Sequence, residues 1–420
     1  MRLKTLENWG SVTISSVIVA AFCATLAQAP ARAASPVEDP LGVIRIPKGA
    51  PVQIGGYWVI SGPDTALGED SVRGAKIGID DMGGKIMGHP IKLNVEDDQC
   101  TPEGGQTAAT KLAANPNTVI VLGPACSSAA TAGAPILWNA DISNIGTAST
   151  APSLTAANRK PELAGFLRTI YSDAESGAND GKWLFHQAGA KAIVTINDGS
   201  PYSSELARVA AESFTKEGGK VLSSEAIQPT DVDLKPLLTH IATLKPDKIY
   251  APLFVAATAQ LLRQAKETPG LENVEIIGEG AQAASALMEA TGPAIIGFKI
   301  AYPDVSPDAM GKGYPAFLEK YKKMFGEAPI SGYHANAYDA AVLAIKAIEK
   351  VAKQGDDGVL YIGKKALHDA LFTITFDGLA GTVKCSEYGQ CAQLKSAIYQ
   401  YVSADPSTFS IGTNPKKIWP

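Results

Sequence analysis

Two short stretches of small and hydroxyl residues stand where apolar strands stop. One is Cys126-Ser127-Ser128, just after Gly123-Pro124, and the other is Gly146-Thr147-Ala148-Ser149-Thr150. A helix that starts at the first stretch leaves backbone N–H groups free, and Ser127 can accept from them as a cap. Free N–H groups with a small hydroxyl make a seat for an anion without any Lys or Arg. The second stretch repeats that chemistry through Ala148, Ser149 and Thr150, so two such turns at neighbouring strand ends could hold one carboxylate. Either turn alone is an ordinary strand-to-helix loop. Glu279 changes the balance, because it follows an apolar strand and falls where open α/β sheets bind ligands. Facing the two turns across a cleft, it would supply a cation partner. An anion seat opposite a carboxylate suits a zwitterion, an α-amino acid. Tyr202, Phe254 and Tyr333 are candidates for the apolar walls that ligand pockets need.

The elements that must position these residues alternate between strand and helix. Val119 to Leu122 is a short apolar run of buried-strand type, followed by a helix through Ile136, Leu137 and Trp138. Upstream, a strand over 51–60 leads into Ser61-Gly62-Pro63 and a loop through Gly68. The spacing of Val72, Ala75, Lys76 and Ile79 predicts a helix stopped by Gly83-Gly84. A strand over 91–96 and a helix over 107–114 follow. A second series reads as helix 178–187, strand 192–196, helix 204–217, a strand near Val221, helix 234–244, strand 248–255, helix 257–265 and strand 274–278. Helices over 314–324 and 338–351 and strand-like segments over 371–376 and 394–402 complete the chain. This alternation predicts an α/β protein with two doubly wound parallel-sheet lobes. The expected division is residues 48–168 plus 302–374 for one lobe and 169–301 plus 375–420 for the other. Three hinge crossovers would fall near 166–172, 298–304 and 374–381, an arrangement suited to closure on a ligand.

Length and charge fit that outline. A chain of 420 residues exceeds one small core. A net charge of −5 without any Lys or Arg run argues against a nucleic-acid surface. Arg2 and Lys4 precede an apolar run over 12–26, and small residues around Ala29 and Ala33 follow, so residues 1–33 read as a secretory signal cleaved near Ala33. Cys23 has no Leu three residues before it, which argues against a lipoprotein anchor. Residues 35–47 are expected to be a loose, Pro-rich lead-in. Beyond the signal remain Cys100, Cys126, Cys385 and Cys391, an even number in an exported chain, so disulfides are expected. Four cysteines allow three connectivities. Cys385 and Cys391 bracket a hairpin tip, which leaves Cys100 for Cys126. The five histidines have no ligand spacing, so no metal is expected, and no cofactor either.

Enzyme motifs are thin. Residues 278–283 fit a loose GxGxxA pattern, but far from the first strand and with Glu279 turned toward any pyrophosphate. Ser213 to Lys216 matches SxxK at the end of an amphipathic helix, and neither SDN nor KTG follows. No GxSxG, HExxH or Walker sequence is present, so the chain is not expected to be an enzyme.

The mature chain resembles the periplasmic branched-chain amino-acid binding proteins of ABC transporters, a type I periplasmic binding fold, over residues 50–405. Ser61-Gly62-Pro63, Asp97-Asp98-x-Cys100, Cys126-Ser127-Ser128, Thr150-Ala151-Pro152-x-Leu154-Thr155 and Leu262-Arg263-Gln264-Ala265 carry the resemblance. It implies that Ser127, Ala148 and Thr150 hold the ligand carboxylate, and that backbone near Ala148, Thr150 and Glu279 hold the amino group. It also implies that Tyr202 closes over the ligand and that Cys100 pairs with Cys126. This chain has Leu67 and Phe254 where leucine-binding members carry aromatic hydroxyls, and Tyr333 where phenylalanine is usual. The expectation is therefore a monomeric periplasmic solute-binding protein that delivers a small amino acid to a membrane permease. The same role for an aromatic acid, amide or urea is the alternative, as is an amide- or amino-acid-sensing receptor.

Overall fold

A computed structural model describes residues 36–306 and 309–420, and the segment read as an export signal, Cys23 included, lies outside the described residues. Two sheets carry the chain. The first is ordered Lys85–Ile86, His89–Asp97, Val52–Trp58, Thr118–Leu122, Asn144–Gly146, Phe166–Arg168. All of its pairings are parallel except the short hairpin of 85–86 with 89–90. The second is ordered Lys220–Ala226, Ala192–Asn197, Lys248–Tyr250, Glu275–Gly278, Lys299–Pro303, Ser396–Gln400, Lys416–Trp419. It is parallel as far as Lys299–Pro303 and antiparallel beyond. In each sheet the parallel series starts inside and runs outward in both directions. This creates the switch point at whose carboxyl end α/β proteins bind ligands.

Helices cover both faces of the first sheet. Pro102–Ala114 packs with Ser127–Asn139, and Thr65–Asp81 packs with His334–Val351. On the second sheet Asp173–His186 packs with Pro201–Lys216. Burial on both faces explains why residues 119–122 are all apolar rather than alternating. Both disulfides, Cys100–Cys126 and Cys385–Cys391, are formed. Among the described residues, no helix is long and apolar enough to cross a membrane.

Several elements differ from expectation for identifiable reasons. The supposed lead-in contains a strand, Val43–Ile46, which pairs antiparallel with Leu360–Gly363 and buries Ile44 and Ile46. Its partner is over three hundred residues away, so the alternation in Val-Ile-Arg-Ile had no local support. The first helix begins at Thr65, which puts Leu67 on its first turn rather than in a loop. The strand expected to reach Val255 stops at Tyr250, because Pro252 has no N–H to give a ladder. Phe254 then becomes the residue before the Val255–Lys266 helix. Segment 371–376 is the end of helix Lys364–Leu371 followed by Thr375–Asp377, which pairs only with Thr382–Lys384. The edge strand Lys416–Trp419 was not anticipated.

Candidate functional site

The two hydroxyl-rich turns are bonded into one unit. Gly123 N donates to Ile145 O at 2.8 Å, and Thr147 N and Ser149 Oγ both donate to Pro124 O, at 3.1 and 2.9 Å. Ala151 N donates to Ser127 Oγ at 3.1 Å. Residues of the neighbouring strand hold the pair from below. Tyr57 Oη donates to Asn144 Oδ1, whose amide reaches Gly123 O, and Trp58 Nε1 donates to Thr147 Oγ1. The disulfide ties the loop after His89–Asp97 to Cys126, the residue preceding the Ser127–Asn139 helix. Ser127 therefore does not cap that helix as expected. Cys126 occupies the cap position with no side-chain bond, and the Ser127 hydroxyl accepts from Ala151 instead. The helix's first N–H groups have no partner within the helix itself.

A pocket opens above this unit. Leu67, Ser127, Ala148, Thr150, Tyr202, Phe254 and Tyr333 line it, together with Ala125, Cys126 and Ala281. Each comes from the carboxyl end of a strand or the start of a helix, as the switch-point topology dictates. The Tyr202 and Phe254 rings sit 5.3 Å apart at 53° and form one wall. The Tyr202 hydroxyl is buried without a well-aligned partner, with the Ala281 amide beside it. Two contacts cross from the first-sheet side to the second-sheet side at the margins. Asp64 Oδ1 accepts from Val255 N at 3.2 Å, and Glu205 accepts from Ser153 N and Oγ at 2.9 and 2.6 Å.

Ser149 and Glu279 are not on the cavity wall. The Ser149 hydroxyl is spent on Pro124 O. Glu279 is fully buried next to the wall and accepts from Ser176 Oγ at 2.8 Å and Gly280 N at 2.7 Å. The Asp180 carboxyl lies close enough to act on it. Burial, then the charges of Asp180 and Asp173, hold Glu279 well above the usual carboxylate range. Burial raises Asp180 to about 6 and Asp173 to about 7, partly offset by hydrogen bonds from Tyr250 and Thr150 respectively. Sequence reasoning missed Asp173, Ser176 and Asp180. They lie along Asp173–His186 at positions 0, 3 and 7, one helical face, but nothing local said which way that face pointed. Ala281 was also missed, although it stands in the same loop as Glu279. Among the described residues, no group of three or more His, Cys, Asp or Glu is placed to hold a metal ion.

A family model described as periplasmic binding protein matches residues 51–406, and the chain belongs to that family. It is 28% identical over 231 residues to the Leu/Ile/Val-binding protein BraC3 of Rhizobium johnstonii, a match covering 54% of this chain and 61% of that one. It is 24% identical over 357 residues to the Leu/Ile/Val-binding protein homolog 3 of Brucella melitensis, covering 84% of this chain and 92% of that one. Among solved structures, the leucine binding protein LivK of Thermotoga maritima superposes with a TM-score of 0.74 at 22% identity, over 84% of this chain and 96% of that one. A solute binding protein of an ABC transporter from R. palustris in complex with benzoate gives 0.71 at 23% identity, over 88% and 96%. These likenesses establish the type I periplasmic binding fold.

Proposed function

We propose that this protein is the periplasmic solute-binding component of an ABC importer, and that it captures a small amino acid between two closing lobes. In this reading the helix start at Ser127 and the turn through Ala148 and Thr150 seat the carboxylate. Glu279 meets the ammonium, and Tyr202, Phe254, Tyr333 and Leu67 enclose the side chain. No covalent chemistry is assigned to the site. One observation carries the choice of an amino acid: Glu279 is buried next to the cavity wall, and the groups whose charge acts on it include two more buried acids, Asp180 and Asp173. A buried carboxyl set beside an anion seat needs a cation to complete it, and a ligand ammonium supplies one. The names of the Rhizobium and Brucella relatives support the same class.

A second reading is supported by the aromatic wall and by Glu279 bonding to Ser176 and Gly280 rather than lining the cavity. There the acids stay protonated and the ligand is an aromatic carboxylate, the class bound in the R. palustris structure.

Thermal unfolding against leucine, valine, phenylalanine, benzoate, 4-hydroxybenzoate, acetamide and urea separates the two. A ligand at about 100 times its dissociation constant adds roughly 2.7 kcal/mol of stability. Shifts with aliphatic amino acids support the first reading. A shift with the benzoates alone transfers the site to aromatic acids, and a shift with none of the carboxylates overturns both.

A further inference from the structure

Behind the turn that carries Ala148 and Thr150 lies a fully buried guanidinium. Arg168 donates from Nη1 to Ser149 O at 3.0 Å and Ala151 O at 2.9 Å, and from Nη2 to Thr155 Oγ1 at 2.6 Å. Its Nε donates to Gln390 Oε1 at 2.6 Å. Gln390 stands inside the ring closed by the Cys385–Cys391 disulfide. Its Oε1 also accepts from Thr155 Oγ1 at 3.2 Å, while its Nε2 donates to Ile170 O at 2.7 Å and Ala392 O at 2.8 Å. The backbone of the ring grips the same strand residue on both sides. Arg168 N donates to Gly389 O at 2.9 Å, and Cys391 N donates to Arg168 O at 3.0 Å.

In a trans peptide the carbonyl and the following N–H point in opposite directions. With the Ser149 carbonyl drawn back onto Arg168, the Thr150 N–H faces away from the guanidinium, on the side of the cavity that Thr150 lines. Among the described residues no protein acceptor meets that N–H.

We infer that Arg168 and Gln390, fixed by the Cys385–Cys391 ring, are positioning residues that aim the Thr150 amide at the ligand's carboxylate. The inference rests on reading the cavity as a carboxylate site. Charge-assisted bonds to the Ser149 and Ala151 carbonyls, with Thr150 between them, hold the Ser149–Thr150 peptide in one orientation.

The test is calorimetric titration of the full mature protein with the tightest-binding acid among leucine, phenylalanine, benzoate and 4-hydroxybenzoate, and then with the matching amide. Gln390→Ala weakens the acid about tenfold, the scale of one charge-assisted hydrogen bond, and leaves the amide within about twofold. Cys385→Ala with Cys391→Ala moves the acid-to-amide ratio in the same direction, and decides the matter alone should Gln390→Ala fail to fold. Equal losses for acid and amide would mark a general loosening of the fold and overturn the inference, as would unchanged acid affinity. Wild-type protein that binds none of the acids removes the carboxylate reading itself, and the positioning role falls with it.

Discussion

The two sides of the cavity solve opposite problems. The first-sheet side offers donors and small hydroxyls with no charged group on the wall. Each turn is already bonded through Pro124, Asn144, Thr147 and Ala151. The second-sheet side offers rings, backed by Glu279, Asp180 and Asp173. The donor side is bonded in place by fixed backbone dipoles that do not titrate, and the Thr150 hydroxyl is tied to an acid, Asp173. The acid side is unfinished, because burial and mutual repulsion oppose ionising Glu279, Asp180 and Asp173 together, and the Arg168 charge offsets this at Asp173. In the proposed reading a ligand carboxylate engages the first side, and a ligand ammonium completes the second.

The change with the largest expected effect removes the acid side's contribution. Glu279→Gln keeps the shape and an acceptor for Ser176 while removing the charge. Breaking a buried charge pair typically costs about 3–5 kcal/mol, so leucine affinity is expected to fall by roughly two orders of magnitude or more, read by calorimetry. Benzoate affinity is expected to stay level or rise. Leucine binding undiminished by the substitution would erase the distinction between the two sides.

A smaller effect concerns the empty protein. Carboxyls whose folded pKa lies above the unfolded value hold protons that the unfolded chain has released, so stability falls as pH rises through that window. With Asp180 near 6, Asp173 near 7 and Glu279 raised further by burial and by both neighbours, the ligand-free midpoint should drop between about pH 4 and pH 8. Asp98 and Asp339, each raised by burial to about 7, add to the same slope from outside the site. The difference between Glu279→Gln and wild type isolates the site's share. The variant should have the flatter profile and, at pH 8, a ligand-free midpoint higher by roughly 2 °C, about what 1 kcal/mol gives in a large domain. A steeper profile in the variant would mean that Glu279 is ionised in the empty protein.

How much of this was legible depended on whether the chemistry was local. The turns at Ser127 and Ala148–Thr150 were readable because a stopped strand, a small residue and a hydroxyl stand within a few positions of each other. Their union through Pro124 follows from strands 118–122 and 144–146 being neighbours, which the alternating pattern implied. The acid cluster was not readable. Glu279 lies about a hundred residues from Asp180 and Asp173, and only the second sheet's order brings them together. The same holds for Gln390 against Arg168. Cys385 and Cys391 pointed to a local ring, but no residue near them indicated that the ring would be bonded to the strand behind the site. The position of Ser127 suits a cap, but the stronger claim on its hydroxyl comes from the Ala151 amide, 24 residues along the chain.

The smallest expected effect lies where the two sides meet. Glu205 follows Tyr202 by one helical turn on Pro201–Lys216, and accepts from both the backbone and the hydroxyl of Ser153. The contact therefore links the helix that carries the aromatic wall to the loop that carries the donors. It is exposed, so water competes for both partners. Exposed contacts of this kind are worth about 0.2–1 kcal/mol, and Glu205→Ala should weaken whichever ligand binds by at most about fivefold. Because the contact bridges the two sides without touching the cavity, the loss should be the same for a carboxylate and its amide, and should show in the dissociation rate rather than the association rate. Stopped-flow measurements on both ligands check this. A loss confined to the carboxylate would place Glu205 among the residues that shape the anion seat, and the boundary between the two sides would then have to be redrawn to include Ser153 on the donor side.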